Sequence, residues 1–166
     1  MKFLLAALLV GIVTAAPQRA VPPENLQKGT PPDPASAAEG AKKLLEALHS
    51  GDPAPAAEFF FPKESFDLVK DLPVPERYWK KLFSWYHEDI AKEHRRFNSK
   101  EWQFDAIELG RCKWKEVGTE GNKVAYWSCV GNFVTAVSGK SKRRFEIRVL
   151  INWGTNWYVT HLGPIR

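Results

Sequence analysis

Residues 143–161 read RRFEIRVLINWGTNWYVTH, and this stretch decides the fold class. Apolar and polar residues alternate along its first half, which predicts a β-strand with one buried face. Gly154-Thr155 then supplies a two-residue turn, so the next apolar run, residues 157–163, is predicted to pair back as an antiparallel strand. The apolar face of the first strand consists of Phe145, Ile147, Val149, Ile151 and Trp153.

Two further β-rich stretches precede this hairpin, at residues 102–117 and 123–137. The dipeptides between successive stretches, Glu120-Gly121 and Ser138-Gly139, have the chemistry of hairpin turns. Short turns force neighbouring strands to run antiparallel. The second half of the chain therefore predicts a four-stranded antiparallel meander.

The half of the chain before Asn98 has helical periodicity instead. Asp33-Pro34 is a helix start, and Gly51 ends that helix. Asp52-Pro53 repeats the start signal for a short second helix, and residues 61–74 hold a brief apolar segment of undecided structure. The longest helix is predicted from Pro75 to about Phe97, with one apolar face formed by Trp79, Leu82, Phe83, Tyr86 and Ile90. We predict an α+β domain in which these helices pack against the curved meander.

Composition agrees with one globular domain. The chain has 166 residues, 44% of them hydrophobic, and a net charge of +5, which argues against a disordered chain, a collagen or a coiled-coil rod. Residues 1–15 have the pattern of a cleaved signal peptide, so we expect a secreted or periplasmic protein with no membrane span after cleavage. Residues 16–33 are rich in proline and predict a disordered spacer before a single domain at 34–166.

The order of these elements resembles the nuclear transport factor 2-like superfamily over about residues 34–163. The resemblance is carried by the opening helix with Ser50-Gly51-Asp52 and by the closing hairpin at 152–159. It implies a cone of helices against a curved antiparallel sheet. The superfamily includes isomerases, dehydratases, hydrolases and non-enzymatic binding domains, so fold alone does not choose a function. A cystatin-like arrangement, one helix followed by a meander, is the alternative.

The two cysteines are predicted to form a disulfide. If Glu120-Gly121 is the turn, Cys112 lies directly opposite Cys129, and Trp114 lies opposite Trp127 on the same face. Export to an oxidising compartment favours the bond. The alternative is a pair of buried free thiols. A metal site is not expected, because two ligands are too few and no histidine shares the hairpin.

Seven residues are candidate ligand contacts. Those on the long helix would line an apolar pocket if the cone is hollow, and are otherwise core. Those on the last two strands could bind a ligand, and a Gly154-Thr155 turn would place His161 opposite Arg148. The alternative for the strand residues is an exposed convex face or half of a dimer interface, and a shift of register changes the partner of His161. The seven are Trp79, Phe83, Tyr86, Arg148, Asn152, Trp157 and His161.

A basic patch marks the tip of the second hairpin, at Lys140, Lys142, Arg143 and Arg144. It could attract a polyanion such as nucleic acid, an anionic glycan or lipid headgroups. The alternative is a set of charges that keeps a strand end soluble and unpaired.

The sequence contains no recognisable catalytic motif, phosphate loop or cofactor signature, and no cofactor is expected. The leading hypothesis is an exported, non-enzymatic binding domain for a small apolar or amphipathic ligand or for a protein partner. A homodimer through the sheet is a further hypothesis by analogy. The enzymatic alternative is an isomerase, dehydratase or hydrolase that uses His161 with Arg148 or Tyr86.

Overall fold

The computed structural model describes residues 20–166, and the expected signal peptide lies outside this range. The described chain is α+β, with helices followed by an antiparallel sheet of five strands that does not close. The helices are α1 (Ala35–Ser50), α2 (Lys63–Val69) and α3 (Pro75–Phe97), with short 3₁₀ segments at Pro23–Asn25 and Ala54–Phe59. The strands are β1 (Gln103–Glu108), β2 (Arg111–Lys115), β3 (Tyr126–Ser138), β4 (Ser141–Trp153) and β5 (Asn156–His161).

The ends of the first helix follow the predicted signals. The Asp33 carboxylate accepts a hydrogen bond of 2.8 Å from the backbone N–H of Ala35. Gly51 has a φ of +79° and donates its N–H to the Ala47 carbonyl, which closes the last turn of α1. The predicted short second helix is the 3₁₀ segment, and the undecided stretch 61–74 contains α2. None of the helices within residues 20–166 has the length and apolar character needed to cross a membrane.

The first predicted strand is divided in two, which corrects the expected four-stranded meander to five strands. Both β1 and β2 pair with β3, and Leu109 and Gly110 between them belong to neither strand. A Cβ atom on Gly110 would lie 2.2 Å from the carbonyl oxygen of Val130, so only glycine fits there. The Gly110 N–H donates to the side chain of Asn132 at 3.0 Å, and Gly131 has a φ of +75°. The close approach of Gly110 to the backbone of Val130 and Gly131 thus marks the point where the first strand is divided.

The hairpin registers agree with the sequence in two places and differ in one. Cys112 pairs with Cys129 as predicted, although a longer loop, residues 116–125, replaces the two-residue turn. Gly154-Thr155 forms the β4–β5 turn as predicted. The register then shifts beyond Leu150, so His161 pairs with Val149. The prediction that His161 faces Arg148 is wrong by one residue, because a bulge adds an extra residue to β5.

Helices and sheet share one core. The apolar residues predicted for one face of β4 are buried except for Trp153, which is half-buried, and α1 contacts both outer strands, β1 and β5. Phe97 at the end of α3 packs edge to face on Phe145, with ring centroids 5.4 Å apart. Fully burying a side chain of this kind contributes roughly 1.5–3 kcal/mol. The aromatic residues of both halves of the chain thus join the helices to the sheet.

Residues 20–32, which fall in the stretch predicted to be a disordered spacer, are hydrogen-bonded to the sheet region through Asn25 and Pro32; we call them the N-terminal strap. Asn25 is 2% exposed and is their main polar contact. Its Nδ2 donates to the Ala125 carbonyl at 2.9 Å and, at 3.4 Å, to the Asn152 carbonyl. Its Oδ1 accepts from the Gly154 N–H at 2.7 Å. The strap therefore contacts both the start of β3 and the β4–β5 turn.

Candidate functional site

A cavity of about 310 Å³ lies between α2, α3 and the sheet. Ligand pockets typically measure ~300–1,000 Å³, so this one fits a small molecule. Its walls are mainly apolar and come from both helices and strands; they include Phe61, Phe66, Val69, Leu82, Val130, Val149 and Ile151. Polar side chains also line it, namely Lys70, Tyr78, Lys115, Glu120, Tyr126, Ser128, Thr160 and His161. We call this space the sheet cavity.

One end of the sheet cavity carries a hydrogen-bonded polar cluster. Lys70, directly after α2, donates its Nζ to the Glu120 carbonyl at 3.1 Å and to the Tyr126 hydroxyl at 3.4 Å. The Tyr126 hydroxyl donates in turn to the Glu120 carboxylate at 2.9 Å. Lys115 forms an ion pair with the same carboxylate. The loop between β2 and β3 thus brings Glu120 back over the end of α2.

Burial and neighbouring charges shift the pKa values of this cluster in different directions. Burial lowers the pKa of Lys70; Glu120 opposes this shift and Lys115 adds to it. Burial raises the pKa of Glu120, but hydrogen bonds from Lys115 and Tyr126 outweigh it, so its net pKa is lowered. Burial and then the charge of Glu120 raise the pKa of Tyr126. At neutral pH, Glu120 is therefore ionised and Tyr126 keeps its proton.

His161 lines the sheet cavity with an unpartnered nitrogen. Its Nε2 is buried and has no hydrogen-bond partner among the described residues, while its Nδ1 lies 3.2 Å from the Thr160 hydroxyl. Burial lowers the pKa of His161; Asp89 opposes this shift and Lys70 adds to it. The imidazole is therefore neutral at pH 7 and can donate or accept one hydrogen bond through Nε2. Leaving a buried polar atom without a hydrogen-bond partner costs free energy, so binding of a ligand group that hydrogen-bonds to Nε2 would be favoured.

The three candidate residues on α3 pack in the core beside the sheet cavity without lining it. The Trp79 indole N–H donates to the Phe61 carbonyl at 2.7 Å, and the Trp79 ring stacks on Phe83 with centroids 4.8 Å apart. The Tyr86 hydroxyl donates to the Ala56 carbonyl at 3.2 Å, and burial raises the pKa of Tyr86. Each of these polar groups is thus already used to join α3 to the preceding segment.

The other strand candidates lie away from His161. The side chain of Asn152 is fully buried; its Oδ1 accepts from the Trp127 N–H at 2.6 Å. Trp157 is 1% exposed and donates its indole N–H to the Pro32 carbonyl of the N-terminal strap at 3.2 Å. Arg148 is exposed and forms an ion pair of 3.0 Å with Glu146. Of the seven candidates, the structure brings His161 alone to the sheet cavity.

A larger cleft, of about 560 Å³, contains Arg148 but is a weaker ligand site. Its lining is largely charged, and the charges are partly paired with one another or with the C-terminal residue. Asp89 accepts hydrogen bonds from the Gly163 N–H at 3.0 Å and from the Arg166 guanidinium at 2.6 Å. Such a cleft offers little apolar surface and few free polar groups to a ligand.

The basic patch is partly neutralised within the domain. Lys142 and Arg144 form ion pairs of 3.3 Å and 2.9 Å with carboxylates of β1. The Arg143 guanidinium lies over the Trp102 ring, 4.8 Å from its centroid, and Lys140 is at the β3–β4 turn. This arrangement favours the alternative in which the charges keep the end of the strands soluble, and it argues against a dedicated polyanion site.

Cys112 and Cys129 form a disulfide across β2 and β3, as predicted. The bond suggests an oxidising environment, extracellular or periplasmic. Trp114 and Trp127 pack edge to face beside it, with centroids 5.7 Å apart. In the part of the chain that the structure describes, no three histidine, cysteine, aspartate or glutamate side chains are grouped closely enough to hold a metal ion.

Comparison of the chain with protein-family models, with curated proteins and with solved structures finds no match. The chemistry of the sheet cavity therefore carries the functional conclusion. Sequence reasoning pointed to His161 but missed Lys70, Glu120 and Tyr126. Lys70 follows the apolar segment that forms α2, which was the available signal. Its partners are 50 and 56 residues away along the chain.

Proposed function

We propose that this protein is an exported, non-enzymatic binding domain whose sheet cavity holds a small amphipathic molecule. The observation that carries the proposal is the largely apolar sheet cavity, which is lined by His161, a residue whose buried Nε2 has no hydrogen-bond partner among the described residues. Apolar walls with a few convergent polar groups are typical of ligand pockets. A ligand that combines an apolar body with a polar group would satisfy both features.

We further propose a nuclear transport factor 2-like cone for the fold. Three helices precede an open antiparallel sheet, and the sheet cavity lies between α2, α3 and that sheet. This arrangement supports the cone over the cystatin-like alternative, in which one helix precedes the meander. Export is supported by the disulfide and by the signal-peptide pattern of residues 1–15. N-terminal sequencing of the exported protein is expected to begin at Ala16, and an intact Met1 would contradict cleavage.

Native mass spectrometry of residues 16–166, purified gently from the producing organism, tests the binding function. We expect a bound small-molecule mass that leaves on activation. Val130→Trp, at a 38% exposed position lining the cavity, is expected to lose that mass because the indole occupies the ligand space. The control Val117→Trp, at a 61% exposed position outside the sheet cavity, is expected to keep it. A wild-type mass without bound ligand would overturn the small-molecule binding function and would favour binding of a protein partner or formation of a homodimer.

A small-substrate enzyme is the second candidate, because several polar side chains line the same cavity. Lys70, Glu120, Tyr126 and His161 include both proton donors and acceptors. The enzymatic hypothesis that pairs His161 with Arg148 or Tyr86 has less support, because neither lines the sheet cavity. Incubating the captured ligand with catalytic amounts of protein separates the two functions. Conversion of the ligand to a new mass supports an enzyme, and an unchanged ligand supports a binding domain.

A further inference from the structure

Lys70 is a half-buried cation that forms no direct ion pair with any of the residues that the structure describes. Its Nζ donates to a backbone carbonyl and to the Tyr126 hydroxyl, and no carboxylate of the described residues lies within ion-pair distance. The nearby Glu120 carboxylate is paired with Lys115 instead. An ammonium group has three donor protons, so one remains for another acceptor. Burying a charge without a direct ion pair is unfavourable, and burial lowers the pKa of Lys70 although the charge of Glu120 opposes this shift.

We infer that the ligand of the sheet cavity is a small monoanion, a single-chain carboxylate whose head lies at Lys70 and whose chain lies along Phe66, Leu82 and Val149. This inference rests on the proposed binding function and adds the chemical class of the ligand. The three named side chains are apolar and line the same cavity as Lys70. A carboxylate at the ammonium would supply the missing acceptor and counter-ion together.

The charges at this end of the cavity select a single negative charge. Lys70 and Lys115 contribute two positive charges, and Glu120 contributes one negative charge, so the cluster is balanced by one anionic group. A doubly charged phosphate head would bring excess negative charge close to Glu120. A cationic head would meet Lys70 and be repelled. His161 lines the same cavity and lies within electrostatic range of Lys70, since the charge of Lys70 contributes to its lowered pKa.

Calorimetric titration with three matched probes tests this inference. The probes are octanoate, octanol and octylamine, which share one chain and differ in the charge of the head. We expect octanoate to bind wild type about tenfold more tightly than octanol, as a hydrogen bond to a charged group implies, and octylamine to bind least. Lys70→Met is expected to bind octanol as wild type does and to lose the preference for octanoate. Lys123→Met removes an exposed lysine outside the cavity and is expected to keep the preference.

The outcomes separate this inference from the binding function. Equal affinity of wild type for octanoate and octanol would overturn the anionic head while leaving a binding cavity in place. A preference for octanoate that survives in Lys70→Met would also overturn the role of Lys70; circular dichroism confirms that the variant is folded. If no probe binds, the inference that the ligand is a single-chain carboxylate is overturned. The native mass spectrum of the wild type then decides separately whether the binding function stands.

Discussion

Replacing Asn25 with alanine is expected to destabilise the domain by about 2–3 kcal/mol, because the N-terminal strap loses its main polar contact. The Asn25 side chain makes two short hydrogen bonds, from Gly154 at 2.7 Å and to Ala125 at 2.9 Å, and a longer one of 3.4 Å to Asn152. A hydrogen bond contributes roughly 0.5–1.5 kcal/mol net, and a buried partner left unpaired costs roughly 1–3 kcal/mol. The strap can move away and let water reach these partners, which limits the loss.

Urea unfolding of the oxidised protein measures this loss directly. For a domain of this size, about 2–3 kcal/mol corresponds to a fall in the melting temperature of roughly 4–12 °C. Gln27→Ala is the matched control, because Gln27 lies in the same strap with an exposed side chain. If Asn25→Ala unfolds within about 0.5 kcal/mol of Gln27→Ala, a typical surface substitution, the strap does not stabilise the domain.

Three further predictions concern other parts of the domain. Replacing Cys112 and Cys129 together with serine is expected to lower the free energy of unfolding by about 3 kcal/mol, from the chain entropy of a 17-residue separation. Gly40→Ala is expected to destabilise α1 by about 1–3 kcal/mol, since the new Cβ would lie 2.0 Å from the Phe59 ring. The free energy of unfolding is expected to fall as the pH drops below 6.5. Burial lowers the pKa of His161 in the folded protein, so the unfolded chain binds a proton at this residue at a higher pH than the folded protein does. His161→Gln is expected to make the free energy of unfolding less dependent on pH in this range.

Each of these has a result that contradicts it. Alkylation of either cysteine in denaturant without reductant would show that the disulfide is absent. Chemical unfolding checks Gly40→Ala, and stabilisation by about 1 kcal/mol, as in an ordinary helix interior, would mean that the Phe59 ring moves aside. Gly29→Ala is the control, because its Cβ would meet nothing within 4 Å. Unfolding curves across the pH range test His161→Gln, and a slope equal to that of wild type would assign the acid sensitivity to other groups.

The fold was predictable wherever local chemistry decides it. The helix ends at Asp33 and Gly51 and the Gly154-Thr155 turn all follow from neighbouring residues. The pairing of Cys112 with Cys129 was also predicted correctly, although a longer loop replaces the turn from which it was predicted. The break between β1 and β2 was not predictable in this way, because it depends on close approach to the carbonyl groups of β3. The bulge in β5 was also missed, and a shift of one residue changes which face of a strand a side chain occupies.

The candidate site was predictable only in part, because its polar end comes from distant segments. His161 was identifiable as a polar residue on a strand beside an apolar face. Lys70 and Tyr126 meet because the end of α2 is hydrogen-bonded to the loop before β3, where the Lys123 N–H donates to the Val69 carbonyl at 2.7 Å, and no local pattern indicates this contact. Asn152 and Trp157 were expected at a ligand site, and the structure shows their partners to be β3 and the N-terminal strap.

The N-terminal strap also orders the events of folding. Asn25 hydrogen-bonds to Asn152, which is 127 residues further along the chain, so its binding surface does not exist when the strap leaves the ribosome. At a synthesis rate of ~5–20 residues per second, roughly 6–25 s pass between the synthesis of Asn25 and that of the β4–β5 turn. Contacts between such distant residues form late, after the local ones. Residues 20–32 therefore lack these partners on the sheet until the β4–β5 turn has been made, and the strap is the last part of the described domain to dock.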